Sequence, residues 1–231
     1  LSPVANEIRN PKDRSLNGVL DAIALHPDTD EAILHLLLPE RAVLLAHREP
    51  LALEDELLRL NRDDVNKILA QNRSLSPNGV AHLLESYPHL IASTTSLDEG
   101  LFGHLIEEYA EDLAANPSLT SMMQERLYNL GKDTILNALA CNPITKKETL
   151  DYLFENGKFS VSLASNPSLP IDKLEVLAES SDTEVLSALA SNTATPIEIL
   201  YQLSLDRRFE RAVKTNPSFG KHIQTHNIGW Y

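Results

Sequence analysis

The sequence has a single cysteine, Cys141, in 231 residues. One cysteine excludes an internal disulfide and a cysteine-built metal cluster. Its place between two packed columns reads as a small packing residue, and its isolation suits a reducing cytoplasm. Long apolar runs are also missing. The longest, Ala32 to Leu38, is interrupted by His35 and stops at Pro39, well short of the roughly 20 residues of a membrane-spanning helix. No signal peptide is visible, and the chain starts at Leu1 rather than Met, which leaves room for an upstream segment.

Basic charge is scarce. The net charge is −13. Residues 1–115 hold 20 acidic and 9 basic side chains, and residues 116–231 hold 13 and 11. An acidic chain repels a phosphate backbone unless a local basic stripe overrides the field. Nucleic acid is therefore a poor default partner. No Gly-rich phosphate loop, Gly-x-Ser-x-Gly turn or Cys–His pairing occurs, so no catalytic residue, metal or cofactor is expected.

What is present is a repeat. Leu-Ala-x-Asn-Pro occurs at Leu113–Pro117, Leu139–Pro143 and Leu163–Pro167. Anchored on the Asn and accepting substitutes, it runs through His26, Arg48, Asn72, Thr94, Asn116, Asn142, Asn166, Asn192 and Asn216, at intervals of 22 to 26 residues. Three places before the anchor every residue is aliphatic, from Ile23 to Val213. Two places before it stands Ala, broken only by Lys214. Seven before it only Arg41 is polar. Eight and eleven places after the anchor most units carry pairs such as Leu150 and Leu153, with Glu56, Arg59 and Gln124 as departures. Residues three or four apart share a helix face. Each unit therefore predicts two short helices, one before the anchor and one after. Such helices hold only by burying their stripes against adjacent units. The Ala column lets neighbours approach closely.

The punctuation agrees with helix ends. Asn tolerates a left-handed helix terminus and Pro blocks continuation. Thr195 with Glu198, Thr145 with Glu148, Ser96 with Glu99 and Ser181 with Glu184 have capping-box spacing, with Pro196 at a first helical position. Gly100 and Gly103 are expected to loosen their helix. The chain divides into a lead or atypical cap at 1–18, a solenoid at 19–219 and a tail at 220–231. The unbroken phase reads as one elongated domain. Part of the tail is expected to fold back as a cap, with Phe219 and Ile223 more buried than Ile228, Trp230 and Tyr231.

The run from Asn166 to Asn192, NPSLPIDKLEVLAESSDTEVLSALASN, resembles the variant leucine-rich repeat of bacterial proteins. It shares the Asn-Pro turn, the Pro-x-x-x-Leu-x-x-Leu helix and the Val-x-x-x-Leu-Ala segment. The resemblance implies an all-α fold, a right-handed superhelix of alternating α- and 3₁₀-type helices, here about nine two-helix units. An iron–sulfur cluster known in the family needs a cysteine-rich segment, which Cys141 alone does not provide. The family's frequent Arg after the Val column is replaced by Leu136 and Leu186.

Three groups of polar residues stand out. The ladder Asn72, Asn116, Asn142, Asn166, Asn192 and Asn216 is expected to satisfy backbone groups in the turns. His104, Glu107, Glu108, Glu111 and Asp112 fall in one stretch, where i, i+4 spacing would align an imidazole and two carboxylates; a solvated charged face is the plainer reading. Arg207, Arg208, Arg211 and Lys214 read as the polar face of a terminal repeat, or alternatively as a phosphate-binding patch. The function expected is a non-enzymatic scaffold that binds a protein partner, possibly basic, through an extended surface in the acidic N-terminal half. The alternative is a nucleic-acid-binding or DNA-repair protein on a HEAT-like repeat. The sequence is silent on oligomeric state.

Overall fold

The paired apolar stripes become paired short helices. The computed structural model describes residues 16–226, and among these there are 17 helices and no strand. The helices are α1 (Asn17–Leu25), α2 (Glu31–Ala46), α3 (Glu54–Arg59), α4 (Asp63–Leu69), α5 (Pro77–Leu83), α6 (Pro88–Thr94), α7 (Glu99–Leu105), α8 (Ala110–Ala115) and α9 (Ser121–Asn129). They continue as α10 (Asp133–Cys141), α11 (Lys147–Asn156), α12 (Ser160–Ser165), α13 (Ile171–Ala178), α14 (Thr183–Ser191), α15 (Ile197–Ser204), α16 (Arg207–Thr215) and α17 (Pro217–Thr225). From α4 onward the even-numbered helices end at an anchor and the odd-numbered helices follow one. Helix α2 fuses one of each, with a kink at Arg41 (φ −125°, ψ 23°) just after Pro39. The fold is an all-α helical repeat. Its shorter helices are α-helical with a 3₁₀-type last bond: the N–H groups of Asn72, Asn116 and Asn166 donate to the carbonyls of Leu69, Leu113 and Leu163.

The helices group into two compact units, divided in sequence between Asp112 and Leu113. In the second unit α10, α12, α14 and α16 pack successively on one another as one layer, and α11, α13 and α15 pack against them as the other. In the first unit α2 packs on α1, α3 and α4, and α3 packs on α5. The core lies between the layers. Every alanine two places before an anchor, from Ala24 to Ala190, has 0% exposure. The aliphatic column beside it is buried from Leu45 to Val213. At the chain's outermost described repeat this fails: Val19 is exposed and Ile23 half-buried.

The departures from the columns have local reasons. Arg41 is buried because its guanidinium is met by Asp21 at 3.0 Å, Glu40 at 3.2 Å and Asn17 at 2.9 Å. After Arg48 the register slips by one: Leu53 adopts a left-handed conformation (φ 58°), and Leu57 rather than Glu56 enters the core. Gln124 is buried and ties two turns together. Its amide donates to the carbonyls of Leu119 and Ile144, and its oxygen accepts from the Lys146 N–H. A further buried column sits three places after the anchor, at Leu75, Leu97, Leu119, Thr145, Leu169, Thr195 and Phe219.

That column overturns the capping boxes. Thr145 and Thr195 do not cap the following helix. Their hydroxyls turn back and donate to the carbonyls of Leu139 and Leu189 at 2.7 Å, as Thr29 does to Ile23 at 2.6 Å. The N-caps are instead Lys146 and Pro196, without a side-chain bond. Likewise Asp98 and Asp182, rather than Ser96 and Ser181, accept from the first turns of α7 and α14. A buried hydroxyl gains more by donating to a desolvated carbonyl than by accepting from an N–H that water can satisfy. The anchors are not left-handed either. Asn142, Asn166, Asn192 and Asn216 are extended, with ψ between 117° and 124°. Pro follows the first two and the last, and a residue before Pro is pushed to this region. Cys141 also departs from expectation: it is exposed, because the place before the anchor points outward.

At the C-terminus Phe219 is buried and Ile223 half-buried. Both belong to α17, whose first turn is capped by the same Asn216 that ends α16. Ile228, Trp230 and Tyr231 lie outside the described residues.

Leu163→Ala and Leu189→Ala should each cost about 2–5 kcal/mol in denaturant unfolding. Ala164→Leu should also destabilise, by overpacking. A cost below about 0.5 kcal/mol for both leucine changes would place them at the surface.

Candidate functional site

The Asn ladder is structural. The side-chain amides of Asn72, Asn142, Asn166, Asn192 and Asn216 are buried brackets between successive turns. Asn166 Nδ2 donates to the carbonyls of Ala140 at 2.8 Å and Asn142 at 2.9 Å, while its Oδ1 accepts from the Ser168 N–H at 2.8 Å. Asn72, Asn142, Asn192 and Asn216 repeat this with their own neighbours. Asn116 is fully buried and its Oδ1 accepts from Ser118. Where the anchor is not Asn the bond is kept by other means. Arg48 Nη1 donates to the carbonyls of Ala24 and His26, and the Thr95 hydroxyl donates to Ala70. The donors of Asn72, Asn142, Asn166, Asn192 and Asn216 are taken up by backbone carbonyls.

The acidic stretch does not assemble. Helix α7 ends at Leu105 and α8 starts at Ala110, so His104, Glu107, Glu108, Glu111 and Asp112 do not share one helical face. Asp112 lies 2.7 Å from His89 Nδ1. Among the described residues no group of three His, Cys, Asp or Glu side chains is placed to hold a metal ion. The other acidic runs are paired locally: Arg59 with Asp55 and Glu56, Arg62 with Asp64, and Lys67 with Asp63 at 2.8 Å.

The basic cluster lies on α16 and is partly neutralised. Arg208 pairs with Asp206 and Lys214 with Glu210, both at 2.7 Å. The hydrogen bonds from Arg208 hold the Asp206 carboxyl below its ordinary range, and the Lys214 ammonium does the same for Glu210. Arg207 and Arg211 are exposed.

The feature that stands apart is a groove on the first unit, between α5 and α7. Two adjoining cavities of about 730 and 380 Å³ share Ala81, Leu84 and His104. Leu75, Val80 and Leu97 form the floor, and Leu84 and Leu101 stand half-buried on the walls. Asp98, Glu85 and Glu108 line the rim.

The groove follows from residue size. Six and nine places after their anchors, these two repeats carry Asn78 and Ala81, then Gly100 and Gly103. The next four repeats carry Met122 and Glu125, Glu148 and Asp151, Asp172 and Glu175, and Glu198 and Tyr201. In the second unit one such side chain, Asp151, bridges two odd-numbered helices. Lys173 on α13 reaches Asp151 on α11 at 3.1 Å and lies 4.9 Å from the centre of the Phe154 ring. Between α5 and α7 the small residues leave the space open. The two glycines do not unravel α7, because Phe102 and Leu105 between and beyond them are buried.

The charge around the groove is one-sided. From Ser74 to Asp112 the sequence has seven acidic residues and no Lys or Arg. That gap was readable from the sequence; the juxtaposition of small residues from two repeats was not, because their contact is tertiary.

Compared with family models, curated proteins and solved structures, the chain matches none. Among the described residues no helix is long and apolar enough to cross a membrane.

Three outcomes follow from this geometry. Asn166→Ala removes the side-chain donor from the buried Ala140 carbonyl and leaves the Asn142 carbonyl with the Thr145 N–H alone, so it should cost about 1–3 kcal/mol in denaturant unfolding; Asn166→Asp, with the same shape but no donor, should do no better. Gly103→Ala should stabilise by about 0.5–1 kcal/mol, because a Cβ there meets nothing within 4 Å; unchanged or lower stability would contradict an open site. Asp206, titrated by NMR, should have a midpoint below the ordinary value of about 3.9, and Arg208→Gln should raise it. Since the folded value is the lower one, the pair's contribution is present above the unfolded pKa and is lost as pH falls through the folded one.

Proposed function

We propose that this chain is a non-enzymatic interaction scaffold of the variant leucine-rich repeat type, and that it docks a segment of a partner protein on the surface built by α5 and α7. The groove is the observation that carries this reading. Its apolar walls are open to solvent, with Ala81 exposed and Leu84 and Leu101 half-buried, whereas the recurrent buried polar side chains of the repeat are committed to backbone groups. An open apolar cleft with a few polar groups at its edge is the common form of a binding site, and a contiguous exposed apolar patch marks an interaction surface more often than chance. Repeat folds supply such surfaces because each unit adds one more pair of helices to the face. The acidic first half favours a basic partner through steering. A cytoplasmic setting suits the lone, exposed Cys141.

The rival is a nucleic-acid-binding or DNA-repair protein on a helical repeat. It needs a continuous basic surface with an aromatic and a carboxylate aimed at a base. The cations nearest to that need lie on α16, and Arg208 and Lys214 there are already held by carboxylates.

The test is affinity capture on the immobilised full chain, with nuclease treatment and salt titration of whatever is retained. The expected outcome is a retained protein that survives nuclease and is released as salt rises. Retention that vanishes with nuclease, or tight binding of a DNA duplex near 150 mM salt with a Kd below about 1 µM, would favour the rival.

A further inference from the structure

We propose that the occupant of the α5–α7 groove is a short amphipathic helix of a partner protein, with leucine-sized side chains on one face and Lys or Arg on the other. The inference rests on the scaffold reading and adds to it the chemistry of the segment bound.

The apolar half follows from the floor. Leu75, Val80 and Leu97 lie at the bottom of a cleft whose wall residue Ala81 is itself exposed. A space of about 730 Å³ that adjoins a second of about 380 Å³ takes several aliphatic side chains from successive turns, as helix-in-groove recognition does. An extended segment is a poor fit. The groove walls are helices whose backbone groups are bonded internally, so no strand edge is available to satisfy the segment's own N–H and C=O groups. A helix brings those bonds with it.

The cationic half follows from the rim. Glu85 and Glu108 are exposed, line the smaller cavity and make no ion pair among the described residues. Asp98 lines the larger one, its carboxylate receiving the Leu101 N–H at 2.7 Å. The whole stretch from Ser74 to Asp112 contains no Lys or Arg, so the field at Glu85 and Glu108 is negative. Cations on the outer face of a docked helix would be drawn to it and an acidic helix repelled. A second copy of this chain does not meet the description. Its basic helix α16 has Phe209 and Val213 buried inside its own unit and has no free apolar face to offer.

The test uses the full chain and three labelled peptides, each about four helical turns long: leucine–lysine, leucine–glutamate and serine–lysine, the first two patterned with one apolar face. Fluorescence anisotropy should show saturable binding of the leucine–lysine peptide, weakening as salt is raised from about 50 to about 300 mM. The serine–lysine and leucine–glutamate peptides should bind at least about tenfold more weakly. Two variants locate the site. Ala81→Trp fills the groove, and the double change Glu85→Lys with Glu108→Lys reverses its rim; each should weaken leucine–lysine binding by about tenfold or more. Glu85 and Glu108 are exposed, so the double variant serves if the tryptophan disturbs folding, with circular dichroism as the check.

Serine–lysine binding as tight as leucine–lysine would mean that charge alone attracts, and would overturn the proposal. So would leucine–lysine binding that neither variant alters. Equal binding of the leucine–glutamate peptide that Ala81→Trp abolishes would overturn the cationic assignment while leaving the groove as a docking surface. No binding of any peptide would also overturn this proposal; the scaffold reading is decided separately by the capture experiment.

Discussion

The repeat depends on one buried amide. The side chain of an anchor Asn donates twice, to two carbonyls of the preceding turn, and accepts once from its own turn. Without it the carbonyl two places before the preceding anchor would lose its side-chain donor while sealed from water, at a cost of about 1–3 kcal/mol, and the anchor's own carbonyl would keep only the N–H three places on, as Asn142 keeps that of Thr145. The amide is small enough to fit where neighbouring helices touch through fully buried alanines. The bond and the close approach require each other: the alanines bring the turns within reach, and the amide fixes their spacing. The substitutes show that the bond, rather than the residue type, is what must be kept. Arg48 reaches the same two carbonyl positions with a guanidinium, and Thr95 reaches one with a hydroxyl.

Because that bracket recurs within each unit, the turns behind the odd-numbered helices are tied in the same way from repeat to repeat. What varies in front of them is side-chain size. Asp151, Lys173 and Phe154 fill the gap between α11 and α13. Ala81 and Gly100, which line the cavity between α5 and α7, leave that gap open. A rigid spacing with variable filling is how a repeat makes a local site without changing its frame. On the rim, Glu85 and Glu108 are exposed and make no ion pair among the described residues.

Much of the fold was legible in the sequence, because a repeat protein solves the same burial problem in every unit. The alanine and leucine columns, the nine anchors and the pairing of helices about each anchor all follow from a period that local packing imposes. The register slip at Leu57 and the inward turn of Thr145 and Thr195 were not legible. Capping-box spacing is satisfied equally by a threonine that points forward and by one that points back, and only the burial of the Leu139 and Leu189 carbonyls chooses between them. The alignment of His104, Glu108 and Asp112 failed for a related reason: i, i+4 spacing has meaning only inside one helix, and α7 stops at Leu105.

By itself, then, the sequence determined the all-α repeat, the positions of its core and the acidic bias of its first half, since periodicity and charge are properties of the chain. Tertiary structure decided where that charge is put to use. The groove exists because small residues one repeat apart come to face each other across two helices, and its rim because Glu85 and Glu108, 23 residues apart in sequence, reach the same cleft. Such a site is made from the gap between units, and a gap has no sequence of its own.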